Sequence, residues 1–300
     1  MAIFLALGLG LLAGTTVVDQ GLVSLLKEQS ATANRTTESL QQEFDDLQTE
    51  LGRSQDFIER AVPALEKNRL LGSRVVLVTD EGVSGPIVEG VRRDLEAAGA
   101  DVMAILSLTP RATVSDPQTR EALADILGVP ASTSPDQLDQ GLAAQLASRL
   151  STGPQGDQDL LLQLLEGGFL DGKGAGLKQV GNQLPAVGGP GRSVVVVSGG
   201  SGQPPVAPGS FLLPLTGSLA REGVRTAAAE GAAAEYGFVT VLRSEGVADG
   251  KRIVTVDDVD EPAGRLAVVM GLQDLVRTGQ GGNFGIKPGV GDPAYPPLEA

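Results

Sequence analysis

The densest ionisable group in this 300-residue chain is Asp257-Asp258-Val259-Asp260-Glu261. Four carboxylates in so short a stretch could hold a hard cation such as Ca²⁺ or Mg²⁺, which takes oxygen ligands. They could equally form a turn and cap the helix that Pro262 opens, since a helix N-terminus favours negative charge. The segment follows a predicted strand, at the edge where open α/β sheets place their sites. Both readings stay open on the sequence. Two Gly-rich turns are the other places where chemistry could sit. Ser198-Gly199-Gly200-Ser201-Gly202 follows a strand, but Gln203-Pro204-Pro205 separates it from any helix, so the dinucleotide pattern G-x-G-x-x-G leading into a helix is absent. Thr79-Asp80-Glu81-Gly82-Val83-Ser84-Gly85 puts two carboxylates where a phosphate would need donors, and no Walker pattern occurs.

Composition removes whole classes of chemistry. The chain has no Cys and no His. Disulfides, thiol nucleophiles, thiolate metal sites and imidazole bases are therefore excluded. No nucleophile–base set can be assembled, so an enzyme is not predicted and no catalytic or cofactor-binding residue is named. The soft metal ligands are limited to Met1, Met103 and Met270, of which Met103 falls in a predicted buried strand and Met270 on the apolar side of a helix. Lys and Arg total 23 against 37 Asp and Glu, a net charge of −14, so the chain repels phosphate polyanions and nucleic acid is not an expected partner.

Ala2 to Val18 carries no charge. As a helix it spans about 26 Å, at the short edge of a bilayer core, and it is apolar on all sides. Residues 1–26 are therefore expected to be a transmembrane anchor in contact with lipid, single-pass, in the cell membrane, with the rest of the chain outside the cytoplasm. No Lys or Arg precedes this run, which predicts a start codon upstream of Met1. Residues 27–69 follow as a stalk. Leu40, Phe44, Leu47, Leu51, Ser54, Ile58, Ala61 and Leu65 fall on one a/d line, the pattern of a dimeric coiled coil that would pair two copies of the chain. An amphipathic helix packed on its own domain is the other reading. Pro63 marks the end of this helix or a kink.

From residue 70 the period changes. Arg74–Thr79, Asp101–Leu108, Ser193–Ser198, Val224–Ala229 and Ile253–Val256 read as short buried strands. Helical patterns lie between and after them at 86–99, 118–127, 135–150, 157–166, 211–223, 236–245 and 262–279. Repeated β-then-α order predicts a doubly wound, mostly parallel, Rossmann-like α/β domain over residues 70–280. Gly167 to Arg192 is expected to be a surface loop. Residues 281–300, with five Gly and four Pro, are expected to be a flexible tail.

Several stretches together carry a family resemblance. They are Phe4-Leu5-Ala6-Leu7-Gly8-Leu9-Gly10 ahead of the coiled coil, Thr255-Val256-Asp257-Asp258-Val259-Asp260 leading through Pro262-Ala263-Gly264-Arg265, and Gln273-Asp274-Leu275 running on to Phe284-Gly285. In this order, across the whole chain, they resemble the actinobacterial copper transporter MctB family, which includes the division-associated protein SteB. The resemblance implies a membrane-anchored envelope protein with a role in copper efflux and copper tolerance, copper being the ion concerned. Its SteB-like branch implies a non-catalytic scaffold that binds an envelope partner such as SteA during cell separation. Members of the family carry a basic, His-containing stretch before the apolar run and His near the C-terminus. Here Gln280, Gly281, Gly282 and Asn283 stand at the latter place. Cu(I) prefers thiolate and thioether ligands and Cu(II) imidazole, so the copper that the resemblance implies has few ligands in this chain.

Overall fold

The computed structural model describes residues 2–80, 82–83, 85–154, 158–179, 181–184, 186–199, 209–234, 237–247 and 252–297, with the side chains of residues 2–24 outside that description. The chain forms two compact units, Met1–Phe57 and Ile58–Ala300. The first belongs to helix α1, which runs unbroken over Ala2–Glu66. The backbone of the expected anchor is thus helical, while the side chains that would meet lipid lie outside the described residues. Among the described residues no helix is long and apolar enough to cross a membrane. Along the expected stalk, Leu40, Phe44, Leu47 and Leu51 are 55–60 % exposed, and Phe57 more so.

Pro63 lies inside α1 rather than ending it, and the helix stops soon after at Glu66. The lower part of the heptad line belongs to the second unit. There Ile58, Val62 and Leu65 pack against Leu266 and Met270, so this stretch takes the amphipathic alternative.

The second unit is built on one sheet. Its strands are β1 (Arg74–Asp80), β2 (Asp101–Leu108), β3 (Leu170–Lys173), β4 (Ser193–Ser198), β5 (Arg225–Glu230), β6 (Ile253–Val256) and β7 (Asn283–Phe284). Their order among the described residues is β3-β2-β1-β4-β5-β6-β7. All neighbours are parallel except β2 and β3, which pair antiparallel. The helices are α2 (Gly85–Ala97), α3 (Pro117–Leu127), α4 (Pro135–Thr152), α5 (Leu160–Glu166), α6 (Leu212–Arg221), α7 (Phe238–Ser244) and α8 (Pro262–Thr278). Strand residues alternate between two cores. Val76, Val78, Val194 and Val196 face the layer of α3 to α7. Val75, Leu77, Val195 and Val197 face α2 and α8. Burial on both faces explains why these strands read as continuous Val runs. The doubly wound, mostly parallel expectation is met, and the strand order reverses between β1 and β4.

Two segments differ from expectation. Gly167–Arg192 is not a surface loop: it supplies β3 and buries Phe169, Leu170, Leu184 and Val187. Arg149 holds it inward, pairing with Asp159 at 2.7 Å and donating to the carbonyls of Val187 (2.7 Å) and Leu184 (3.2 Å). The Gly/Pro-rich C-terminal segment is also not free. It forms β7 on the sheet edge, and its backbone continues into the bonds described next.

Candidate functional site

At the carboxyl edge of the sheet three elements deliver a buried acid. Asp80 ends β1, Glu230 ends β5 and Asp257 follows β6, and all three are 3 % exposed or less. A buried carboxylate is costly unless bonded and paired. Asp257 is held at one oxygen by the backbone N–H groups of Ile286 (2.7 Å) and Lys287 (3.1 Å), and its other oxygen accepts from Arg243. Arg243 also donates to the Thr255 hydroxyl at 2.9 Å and the Phe284 carbonyl at 2.7 Å. Glu230 accepts from the Lys287 ammonium at 2.8 Å and from the Val239 N–H at 2.9 Å. Two ion pairs thus clamp residues 284–287 over the ends of β5 and β6. Gly285 permits the approach, because a Cβ there would overlap the Asp257 carboxylate.

The other three acids of the predicted cluster point elsewhere. Asp258 is buried and accepts from the Tyr295 hydroxyl, while its second oxygen has no partner. Burial, then that hydrogen bond working against it, sets its proton affinity above the usual carboxylate range. Burial and the Asp258 bond push the Tyr295 hydroxyl up as well. The Asp258 carbonyl closes a turn by accepting from the Glu261 N–H at 2.9 Å. Asp260 accepts from the Ala232 N–H at 2.8 Å and ties down the loop after β5. Glu261 is the N-cap residue of α8, but its side chain makes no capping bond. Asp257, Asp258 and Asp260 therefore serve three separate contacts. Among the described residues no group of three or more His, Cys, Asp or Glu could hold a metal ion. Met270 is in the apolar contact with α1, and Met103 is half-buried in β2. Of the Gly-rich turns, Glu81, Ser84 and residues 200–202 lie outside the described residues.

The residues that sequence reasoning missed are Arg243, Lys287, Glu230 and Tyr295. The signal lay in the tail itself. A segment rich in Gly that also carries Phe284, Lys287 and Tyr295 has side chains able to fill, pair and bond, which a mobile linker does not need. A second buried group sits where α1 ends. Glu66 is 1 % exposed, and one of its oxygens has no partner. Burial first and the nearby Asp94 second raise it to about 8, although Arg265 and Arg93 pull the other way. Asp94 itself pairs with Arg265 at 2.6 Å.

Helix and sheet together define a class: a doubly wound α/β domain of Rossmann strand order with a long N-terminal helix and a C-terminal strap. The family model for "Copper transport outer membrane protein, MctB" matches residues 1–294, and the chain belongs to that family. Proteins called "Copper transporter MctB" from Mycobacterium tuberculosis and Mycobacterium bovis are 26 % identical to it over 294 residues, covering 95 % of this chain and 92 % of theirs.

Proposed function

We propose that this chain acts within the copper-transport process of its family as a non-catalytic envelope scaffold. On this reading the apolar run Ala2–Val18 anchors it in the cell membrane as a single span, with the α/β domain outside the cytoplasm. Its helix pairs with that of a second copy, and the domain carries a protein partner. The observation that carries the proposal is the exposed line Leu40, Phe44, Leu47 and Leu51. Four large apolar side chains at heptad spacing gain from burial only against a partner helix, at about 25 cal/mol per Å² removed from water. The charge-free N-terminal run and the family's description support the membrane assignment.

The donor set supports a scaffold rather than a direct copper carrier. With neither His nor Cys, the chain offers copper thioether sulfur and carboxylate oxygen. Of the buried carboxylates at the sheet edge, Asp257, Glu230 and Asp258 are held by Arg243, Lys287 and Tyr295. The resemblance points first to copper efflux and tolerance; a division role of the SteB kind, with a SteA-like partner, is the alternative that suits a scaffold without copper ligands.

The absence of native Cys makes the test direct. In the full chain in membranes, Leu47→Cys should form an inter-chain disulfide on mild oxidation, and Glu50→Cys, off the seam, should form far less. Equal cross-linking at both positions, or none at either, refutes pairing through this line. Calorimetric titration with Cu(II), and with Cu(I) under reducing conditions, should show no binding tighter than micromolar. Tighter binding refutes the scaffold reading in favour of direct copper handling.

A further inference from the structure

Four adjacent parallel strands of the sheet are each entered through an arginine. Arg74 opens β1, Arg192 directly precedes β4, Arg225 opens β5 and Arg252 directly precedes β6. The register pairs Val75 with Ser193, Ser193 with Arg225 and Thr226 with Ile253, so the four lie within one residue step of a common line. With parallel strands about 4.8 Å apart, that line runs about 14 Å along the amino edge. Arg74 and Arg192 take the sheet face of Val76 and Val194, and Arg225 the face of Ala227, so positive charge borders the edge on both sides. None of the four forms an ion pair among the described residues. Arg192 reaches the Pro190 carbonyl and Arg225 the Gly191 carbonyl, each only at 3.4 Å. The Arg192 Nε is buried without an acceptor. Burial lowers the proton affinity of that guanidinium, and the neighbouring charges of Arg74 and Arg149 lower it further. Asp101, Glu222 and Glu245 at this edge are exposed and pair with none of these arginines. Guarding apolar strands in the unfolded chain explains a charge beside each Val run. It does not explain a guanidinium left with a buried, unanswered donor.

A chain of net charge −14 that gathers unpaired arginines on one edge presents that edge to an anion. Arginine forks suit carboxylate and phosphate alike, and the apolar groups beside them separate the two. Leu71, just ahead of Arg74, is 73 % exposed. At the other end, Arg221 and Arg252 share a cleft of about 690 Å³ walled by Leu213, Pro214 and Val247. A phosphate polymer has nothing apolar to place on these groups, and the three acids would repel it. A protein supplies carboxylates and apolar side chains together. A helix suits the row best. It is about 10 Å wide, covers both sides of a sheet edge and carries acids about 5–6 Å apart at three- and four-residue spacing. We infer that the amino edge of the sheet, from Leu71 to Arg252, docks an acidic amphipathic helix of a protein partner. This rests on the reading of the domain as a scaffold that carries such a partner.

The probe is a synthetic helical peptide of about sixteen residues with Glu at every third or fourth position and Leu beside each. Its binding to the full chain in detergent is read by fluorescence anisotropy. It should bind, weaken as salt is raised, and bind at least about tenfold more tightly than the same peptide with Gln for Glu. Arg74→Gln with Arg252→Gln should weaken it about tenfold and leave the thermal midpoint in place, because both positions are exposed. Should that double variant fail to fold, Arg252→Gln alone replaces it and should weaken binding severalfold. Leu71→Ser should also weaken it, and Arg53→Gln, exposed on α1, should not. The inference is overturned if the peptide does not bind, if the Gln version binds as well, or if the arginine variant or Leu71→Ser binds as the parent chain does. It is also overturned if Arg53→Gln weakens binding as much, or if inorganic polyphosphate binds as tightly as the peptide. Failure here leaves the pairing of helices, tested by the Leu47→Cys cross-link, standing.

Discussion

Replacing Arg243 by Met tests the clamp on the C-terminal segment most sharply. The guanidinium is 2 % exposed and faces an Asp257 side chain that is fully buried. Removing it leaves Asp257 with its two backbone donors, Ile286 and Lys287, and no cation. Breaking a buried pair in this way costs about 3–5 kcal/mol, most of it the uncompensated charge. For a unit of this size about 1 kcal/mol moves the thermal midpoint by roughly 2–4 °C, so the variant should melt roughly 6–20 °C lower. Asp257→Asn alone should cost a similar amount. Its amide can keep both backbone donors on the oxygen but turns its NH₂ toward the guanidinium. The double variant has neither charge, so the two losses should not add, and the coupling should be at least about 1 kcal/mol. The assay is the thermal midpoint of the full chain in detergent, with limited proteolysis to follow cleavage after residue 280. The reasoning fails if Arg243→Met costs less than about 1 kcal/mol, if the two losses add, or if the C-terminal segment stays protected in both single variants.

Three further outcomes follow from other parts of the molecule. Leu47→Glu with Leu51→Glu should convert the chain to a monomer in light scattering while leaving the melting of the α/β unit unchanged, because both positions are exposed and belong to the helical unit. Glu66 carries a proton in the folded state up to about pH 8 against an ordinary value of 4.5, so the folded state binds more protons than the unfolded one between those limits. Stability should therefore fall as pH rises through that window, and Glu66→Gln should flatten the fall; a parent chain with no decline from pH 5 to 8 would contradict it. Gly264→Ala should abolish folding or cost more than about 3 kcal/mol by chemical denaturation, since the added methyl overlaps the Asp258 carbonyl and carboxylate.

The parts of the fold that show in the sequence are those where one local rule decides. Val75–Val78 and Val194–Val197 are apolar on both faces, and Pro135 and Pro262 open helices that Gly153 and Gly279 close. The parts that do not show are decided by distant contacts. Leu170–Lys173 has the composition of a turn and becomes a strand because β2 offers an open edge and Arg149 holds the following loop inward. The C-terminal glycines read as freedom by composition, but Gly281 and Gly285 are there because the backbone passes too close to Ile253 and Asp257 for any side chain. The acidic cluster was legible as a place and not as a role. Nothing near Asp257 in sequence announces that its partners are Arg243, Ile286 and Lys287.

That dispersal bears on how a chain without His or Cys can belong to a copper-transport family. A site made of adjacent acids would be open to a cation. Here the three aspartates after β6 are committed to different contacts: Asp257 to the backbone of Ile286 and Lys287, Asp258 to Tyr295, Asp260 to the loop at Ala232. To recruit them for a metal, the clamp through Arg243 and Lys287 would have to open, breaking two ion pairs whose carboxylates are fully buried. That costs several kcal/mol before any ligand is gained. The acid at the same edge with no cation among the described residues is Asp80, and its two oxygens accept from the Gly82 N–H and the Ser198 hydroxyl. At the ends of β5 and β6, then, the acids of this chain are tied into ion pairs rather than open to a cation.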